Sequence, residues 1–246
     1  MTWLTQFKSY LADGQDLCEV EDSIYSVLLE YDPAFYDKGA WFYDLIVGAR
    51  LYNRVAWGCA ADRYREACRK ALSLGGGPIA DVGCGSLVFT AAAYLQIHDR
   101  LIVLIDRSIG MLRRARHRLR QSRGGNLENI ILLQADATHL PFKSKSFAQS
   151  MSWGVLHVMP DRDAFLDEMI RITRSDGAVN ISSLVTDRAF GHRYLQMLKR
   201  TGEISTLLSS SDFERLISDY GLSSRMTVTG NMAFIAAYNA SIECGA

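Results

Sequence analysis

The stretch Pro78-Ile-Ala-Asp81-Val-Gly83-Cys-Gly85-Ser-Leu87-Val-Phe-Thr90 limits the fold more than any other part of the chain. Apolar residues run into an acid, then into glycines one residue apart, then into a helix-compatible run. The pattern predicts a buried strand, Ile79 to Val82, then a tight turn, then a helix from about Val88 to Ile97. Gly83 and Gly85 can take positive φ and place no Cβ between the backbone and a ligand. The helix start offers unpaired N–H groups at the turn. A cofactor can lie over such a turn, but the turn alone does not say which one.

Downstream, strand and helix alternate, which predicts a largely parallel sheet. The expected strands are Arg100 to Ile105 (ending at Asp106), Ile130 to Gln134, Phe147 to Met151 and Ala178 to Val185. The expected helices are Ile109 to Gln121, Arg162 to Arg174, Arg188 to Thr201 and Ser211 to Tyr220. Strands Ser223 to Thr229 and Ala233 to Tyr238 close as a hairpin around Gly230-Asn231. Upstream, residues 1–31 carry apolar side chains at helical spacing, with Asp13-Gly14 as a break. An amphipathic helix spans Asp62 to Leu74 and stops at Gly75-Gly76-Gly77-Pro78. The chain therefore divides into a helical N-terminal cap or lid, 1–74, and a core, 75–246.

Composition narrows the class. A chain of 246 residues with 48% hydrophobic and 22% charged residues can build a full core. Zero formal net charge gives no general attraction to nucleic acid or membranes. Five cysteines without a CxxC pair favour reduced thiols and a cytoplasmic protein. There is no apolar signal core at the N-terminus and no apolar run long enough to span a bilayer. Asp16, Glu19, Glu21 and Asp22 have no nearby histidines, so no metal site is expected.

The strands predicted from Ile79 to Met151 each end in polar or small residues: Asp81 to Gly85, then Asp106, then Asp136-Ala137, then Ser152-Trp153-Gly154. Ligands in open α/β sheets bind outside the carboxyl ends of strands, so these sets would line one crevice. Asp106, about 20 residues past the turn, can accept both hydroxyls of a ribose. The dinucleotide pattern G-x-G-x-x-G fails here, because Val88 stands at the third glycine. Asp136 suits an adenine amine and has no expected role in a dehydrogenase.

These residues resemble the class I S-adenosylmethionine-dependent methyltransferases, in the small-molecule group that includes the quinone-biosynthesis C-methyltransferases. The motifs are Ala80-Asp-Val-Gly-Cys-Gly-Ser86, Leu104-Ile-Asp-Arg-Ser108 with Met111-Leu112, Gln134-Ala-Asp-Ala137 with Leu140-Pro-Phe142, and Gly154-Val-Leu-His157 with Asp161. The resemblance implies a Rossmann-like, seven-stranded, mostly parallel sheet with an antiparallel last strand. It implies that Asp81, Gly83, Cys84 and Gly85 meet the methionine part of S-adenosylmethionine and that Asp106 holds the ribose. Arg107 and Met111 would flank the adenine, Asp136 would bind its amine and Ala137 would stack nearby. Ser152 and Trp153 would face the sulfonium and the substrate. Tyr43 would close over the methionine moiety. Leu87 stands where the family often has glycine, and Ala148 where it usually has an acid.

The implied reaction is in-line methyl transfer to a small aromatic or apolar molecule, by a monomer or homodimer without nucleic acid. The alternative is a non-catalytic cofactor-binding or partner protein that keeps the fold. His157 has two readings: a base near pH 7, or a helix-start histidine that packs or caps. Tyr36 and His192 are further substrate-side candidates, as part of aromatic stretches that either pack on the core or close over a cleft. The arginines from Arg113 to Arg123 crowd one helix, where a solvated face explains them better than RNA does.

Overall fold

The computed structural model describes residues 2–28, 59–123, 127–200, 202 and 204–239, without the side chains of 122–123 and 189–194. In chain order these residues form α1 (Trp3–Tyr10), β1 (Cys18–Glu21), β2 (Ile24–Ser26), α2 (Ala61–Ser73), β3 (Ile79–Val82), α3 (Ala91–Tyr94), β4 (Ile102–Asp106) and α4 (Ile109–Arg123). There follow β5 (Ile130–Gln134), β6 (Phe147–Trp153), α5 (Arg162–Ile172), β7 (Thr173–Leu184), α6 (Ala189–Arg200), α7 (Ser210–Asp219), β8 (Leu222–Thr229) and β9 (Met232–Asn239).

The strands join in the order β1-β2-β5-β4-β3-β6-β7-β9-β8. From β5 to β8 this is the expected seven-stranded sheet, and β9 runs antiparallel to both of its neighbours. Side chains alternate between faces along the central strands. Ala80, Val82, Val103, Ile105 and Leu133 pack with α1, α5 and α7. Ile79, Ile102, Leu104, Ile130 and Leu132 pack with α2, α3 and α4. Burial on both faces requires apolar residues at successive positions, and that continuous pattern made these strands readable in the sequence.

The structure corrects the N-terminal reading. Within the apolar spacing read as helical, Ile24–Ser26 form a strand: β1 and β2 form an antiparallel hairpin, and β2 pairs in parallel with β5, bringing the sheet to nine strands. The hairpin lies against α4, whose arginines hold it. Arg116 reaches Glu21 at 3.0 Å, Arg120 reaches Asp22 at 2.8 Å, and Arg113 also pairs with Glu21. Hydrogen bonding from Arg113 keeps the Glu21 carboxyl below its ordinary range despite partial burial, and the Arg116 charge adds to this. The face expected to be only solvated is therefore also a docking face within the chain. Each pair is partly exposed and contributes little by itself.

Helix α1 anchors the same end. Phe7 is fully buried, with its ring 6.3 Å from both Phe142 and Tyr25. Phe142 in turn meets Phe147 edge-on at 4.9 Å. The aromatic packing ties the N-terminal segment to β6. We expect Phe7→Ala to lower unfolding free energy by about 3–5 kcal/mol, read by chemical denaturation. Glu21→Gln should cost about 1 kcal/mol or less.

Candidate active site

The turn after β3 is built into β4. The amides of Gly83 and Cys84 both donate to the Ile105 carbonyl, at 2.8 and 2.9 Å. The Gly85 amide donates to Asp106 Oδ2 at 2.8 Å, and the Ser108 amide to Asp106 Oδ1 at 2.9 Å. The three consecutive amides of the turn are thus used within the protein. At these positions the turn presents backbone surface and a fixed carboxylate.

The glycines are required locally. Gly83 has φ 72°, and a Cβ there would lie 2.6 Å from Val155 Cγ2. The loop after β6 therefore packs directly on the turn. Gly85 has φ 56° with open space where a Cβ would be. Leu87 also takes the left-handed conformation, at φ 58°. A non-glycine residue there costs roughly 1–2 kcal/mol. The Leu87 side chain is only 2% exposed and packs in the core with α3 and α4. Burying a leucine contributes about 1.5–3 kcal/mol, enough to hold the strained backbone in place. Arg118 of α4 also bonds the Ser86 carbonyl. The helix expected from Val88 to Ile97 is correspondingly short: turns precede α3, and tight i→i−3 bonds from Gln96 and Ile97 follow it.

Two further strand-end acids show how neighbours set their charge. Asp136, just past β5, is partly buried, which pushes its pKa up. Hydrogen bonds from the Thr138 amide and hydroxyl, with the charges of Arg107 and His139, outweigh this and hold it below the ordinary value. Asp81 is 1% exposed. Burial raises its pKa to about 7, with a hydrogen bond from Tyr94 acting downward and the Asp106 charge acting upward. Asp81 Oδ1 is buried without a hydrogen-bond partner. Met111 is buried at the start of α4 and Arg107 is exposed. Burial, then the charges of Asp106 and Asp81, hold the Cys84 thiol well above its ordinary pKa.

Other expected residues do different work. The Ser152 hydroxyl is fully buried and donates to the Val82 carbonyl at 2.8 Å, so it ties β6 to β3 and does not face a cleft. His157 lies in a short 3-10 turn, buried, and its Nδ1 accepts from the Leu184 amide at 3.3 Å. With Nδ1 accepting, the neutral ring carries its proton on Nε2 and has no lone pair left for a substrate. Burial lowers its pKa to about 4. Its carbonyl also accepts from the Ser205 and Thr206 amides. The structure thus favours the packing role for His157. Asp161 caps α5 through the Ala164 amide. Tyr36 and Tyr43 lie outside the described residues, as does the His192 side chain.

An aromatic group beside the strand ends has no counterpart in the sequence reading. Tyr64 of α2 stacks on Phe89 at 4.7 Å and meets Phe234 edge-on at 5.4 Å. Trp153 packs on this group, and Tyr64 lies beside Gly154. The result is an aromatic wall next to the strand ends. Its only sequence signal was the apolar stripe of α2. Among the described residues, no group of three or more His, Cys, Asp or Glu side chains could hold a metal, and no helix is long and apolar enough to cross a membrane.

Leu87→Gly and Leu87→Ala should both lose stability in urea. The glycine variant should be the more stable by about 1 kcal/mol, opposite to their order in a helix. His157 titrates lower in the folded than in the unfolded protein, so its contribution is complete above about pH 6.5 and lost as pH falls towards 4. His157→Asn keeps an acceptor for the Leu184 amide and should remove this acid sensitivity. The difference from wild type between pH 7 and pH 4 should reach up to about 3 kcal/mol.

Residues 79–177 match the methyltransferase-domain family. A demethylmenaquinone methyltransferase of Corynebacterium kroppenstedtii is 30% identical over 171 residues, covering 68% of this chain and 69% of that one. A protein of the same name from Mycobacterium sp. is 34% identical over 145 residues, and the match spans 57% of its length. A solved S-adenosylmethionine-dependent methyltransferase from Thermotoga maritima, a possible histamine N-methyltransferase, superposes with a TM-score of 0.59 at 15% identity. That match covers 82% of this chain and 97% of the other, and it shows the shared fold alone. The glycine turn locked to a strand-end carboxylate, the sheet order and these relatives agree: the chain belongs to the class I S-adenosylmethionine-dependent methyltransferases, in the group that includes the quinone-biosynthesis enzymes.

Proposed function

We propose that this protein transfers a methyl group from S-adenosylmethionine to a small aromatic or apolar acceptor. The observation that carries the proposal is Asp106, held by the Gly85 and Ser108 amides beside a turn whose Gly83, Cys84 and Gly85 amides are already bonded within the protein. A ribose with two free hydroxyls and no attached phosphate fits that set. The open space over Gly85 leaves room for the cofactor's chain. The unpartnered Asp81 Oδ1 matches a cofactor with a cationic amine.

In this reading Asp106 accepts from the ribose hydroxyls, and Gly83, Cys84 and Gly85 underlie the methionine part. Asp136, ionised at neutral pH, accepts from the adenine amine, with Arg107, Met111 and Ala137 around the ring. When bound, S-adenosylmethionine supplies an electrophilic methyl group on its sulfonium. The residues of the chain contribute position and exclusion of water. Trp153, with Tyr64, Phe89 and Phe234, offers an apolar wall for the acceptor. His157 has no lone pair for a proton, so the acceptor suited to this site ionises without it, as a phenol or hydroquinone does. The names of the bacterial relatives point to an apolar quinol of that kind.

The reading includes a cytoplasmic protein with free thiols, acting as a monomer or homodimer without nucleic acid. Pairing of Arg113, Arg116 and Arg120 with Glu21 and Asp22 supports the last point.

The test is calorimetry with S-adenosylhomocysteine, followed by transfer of labelled methyl to an alkylated naphthohydroquinone and to amine acceptors. We expect binding, transfer to the hydroquinone and none to the amines. Asp106→Asn should weaken S-adenosylhomocysteine at least about tenfold. No binding by wild-type protein would overturn the proposal.

A further inference from the structure

Tyr94, on the short helix α3, is fully buried, and its hydroxyl donates to Asp81 Oδ2 at 2.7 Å. The same oxygen lies 3.8 Å from Met151 Sδ. The Trp153 indole Nε1 is buried nearby without a hydrogen-bond partner. One tyrosine therefore stands between the carboxylate at the end of β3 and the tryptophan at the end of β6. Asp81 and Met151 are directly opposite each other in these paired strands. A buried carboxylate oxygen without a partner is costly, and proteins normally supply one from a ligand or an ordered water. Asp81 has one such oxygen beside the glycine turn, and Tyr94 has fixed the other.

We propose, resting on the methyltransferase reading above, that Tyr94 is a positioning residue for the amino-acid end of the cofactor. By holding Asp81 Oδ2, it leaves Oδ1 free to accept from the cofactor's ammonium group, directly or through one ordered water. The groups around Asp81 set the sign of the pH dependence. Among the described residues, the titratable ones are Tyr94 from α3, Cys68 from α2, Cys84 from the turn and Asp106 from β4. Burial, then the Asp81 charge, raise the Tyr94 pKa well above its ordinary value, so the phenol keeps its proton and donates. Burial likewise raises the thiols of Cys68 and Cys84, which remain neutral. Asp106 is the anion that opposes ionisation of Asp81, and Tyr94 is the donor that favours it. Removing the Tyr94 hydroxyl therefore moves Asp81 towards its protonated form, which cannot pair with an ammonium.

The experiment measures binding of S-adenosylhomocysteine and of methylthioadenosine between about pH 6 and pH 9. Methylthioadenosine lacks the amino-acid end. The proteins are wild type, Tyr94→Phe, Asp81→Asn and the double variant. Wild type should bind S-adenosylhomocysteine more tightly as pH rises through about 7, with methylthioadenosine flat. Tyr94→Phe should weaken S-adenosylhomocysteine about tenfold at neutral pH, less at high pH, and leave methylthioadenosine within about twofold. Adding it to Asp81→Asn should cost nothing further, because the partner it positions is gone. Unchanged S-adenosylhomocysteine affinity in Tyr94→Phe, or equal weakening of both ligands at every pH, would overturn the inference while leaving the proposed function standing. Should Tyr94→Phe fail to fold, equal affinity of wild type and Asp81→Asn for S-adenosylhomocysteine across the pH range overturns it instead. Wild type that binds neither ligand would overturn both.

Discussion

The hydrogen bonds between the turn and β4 carry the rest of the site. Gly83, Cys84 and Gly85 all donate towards β4, to a backbone carbonyl and to the Asp106 carboxylate. The turn is thus bound to the ends of two central strands. Its shape follows from the register of β3 on β4, in which Val82 lies opposite Ile105. A small shift of one strand would move the backbone platform and the acid together. The fixed parts of the turn thus belong to two buried central strands.

Leu87 is where packing and backbone geometry meet. A glycine would adopt φ 58° without cost, but it would leave a hole among the residues of α3 and α4. The chain instead holds a strained backbone with a buried side chain. The conformation of the turn therefore depends on a well-packed core, and core changes some distance from the ligand would be felt there. Arg118 reinforces the same turn from α4, a helix that also holds the N-terminal hairpin on its other arginines. One helix thus links the glycine turn to the edge hairpin.

The sequence was most readable where burial leaves one choice. Ile102 to Asp106 and Ile130 to Gln134 are apolar runs ending in polar residues, and both strand ends and acids emerged where expected. The hairpin was not readable. Its strands are short and half exposed, and the partner that makes Ile24 to Ser26 a strand lies at Leu132 to Gln134, beyond any local pattern. Side-chain roles were legible in proportion to how little they depend on neighbours. Asp106 stands at the end of its strand, where the sequence places it. His157 and Ser152 looked reactive by type, but a backbone amide and a backbone carbonyl claim them. Tyr94 and Tyr64 lie on helices, where spacing does not reveal which buried hydroxyl meets a carboxylate or which ring stacks on another.

The pairing of β2 with β5 also orders events in time. Residues 18–26 are synthesised early, yet the strand they dock on is made much later, after β3, β4 and the intervening helices. Contacts so distant in sequence form late, because the intervening chain must first be ordered. The arginines of α4 hold Glu21 and Asp22 on the way to that pairing, so the hairpin covers the backbone of β5 that would otherwise stand unpaired at the edge of the sheet.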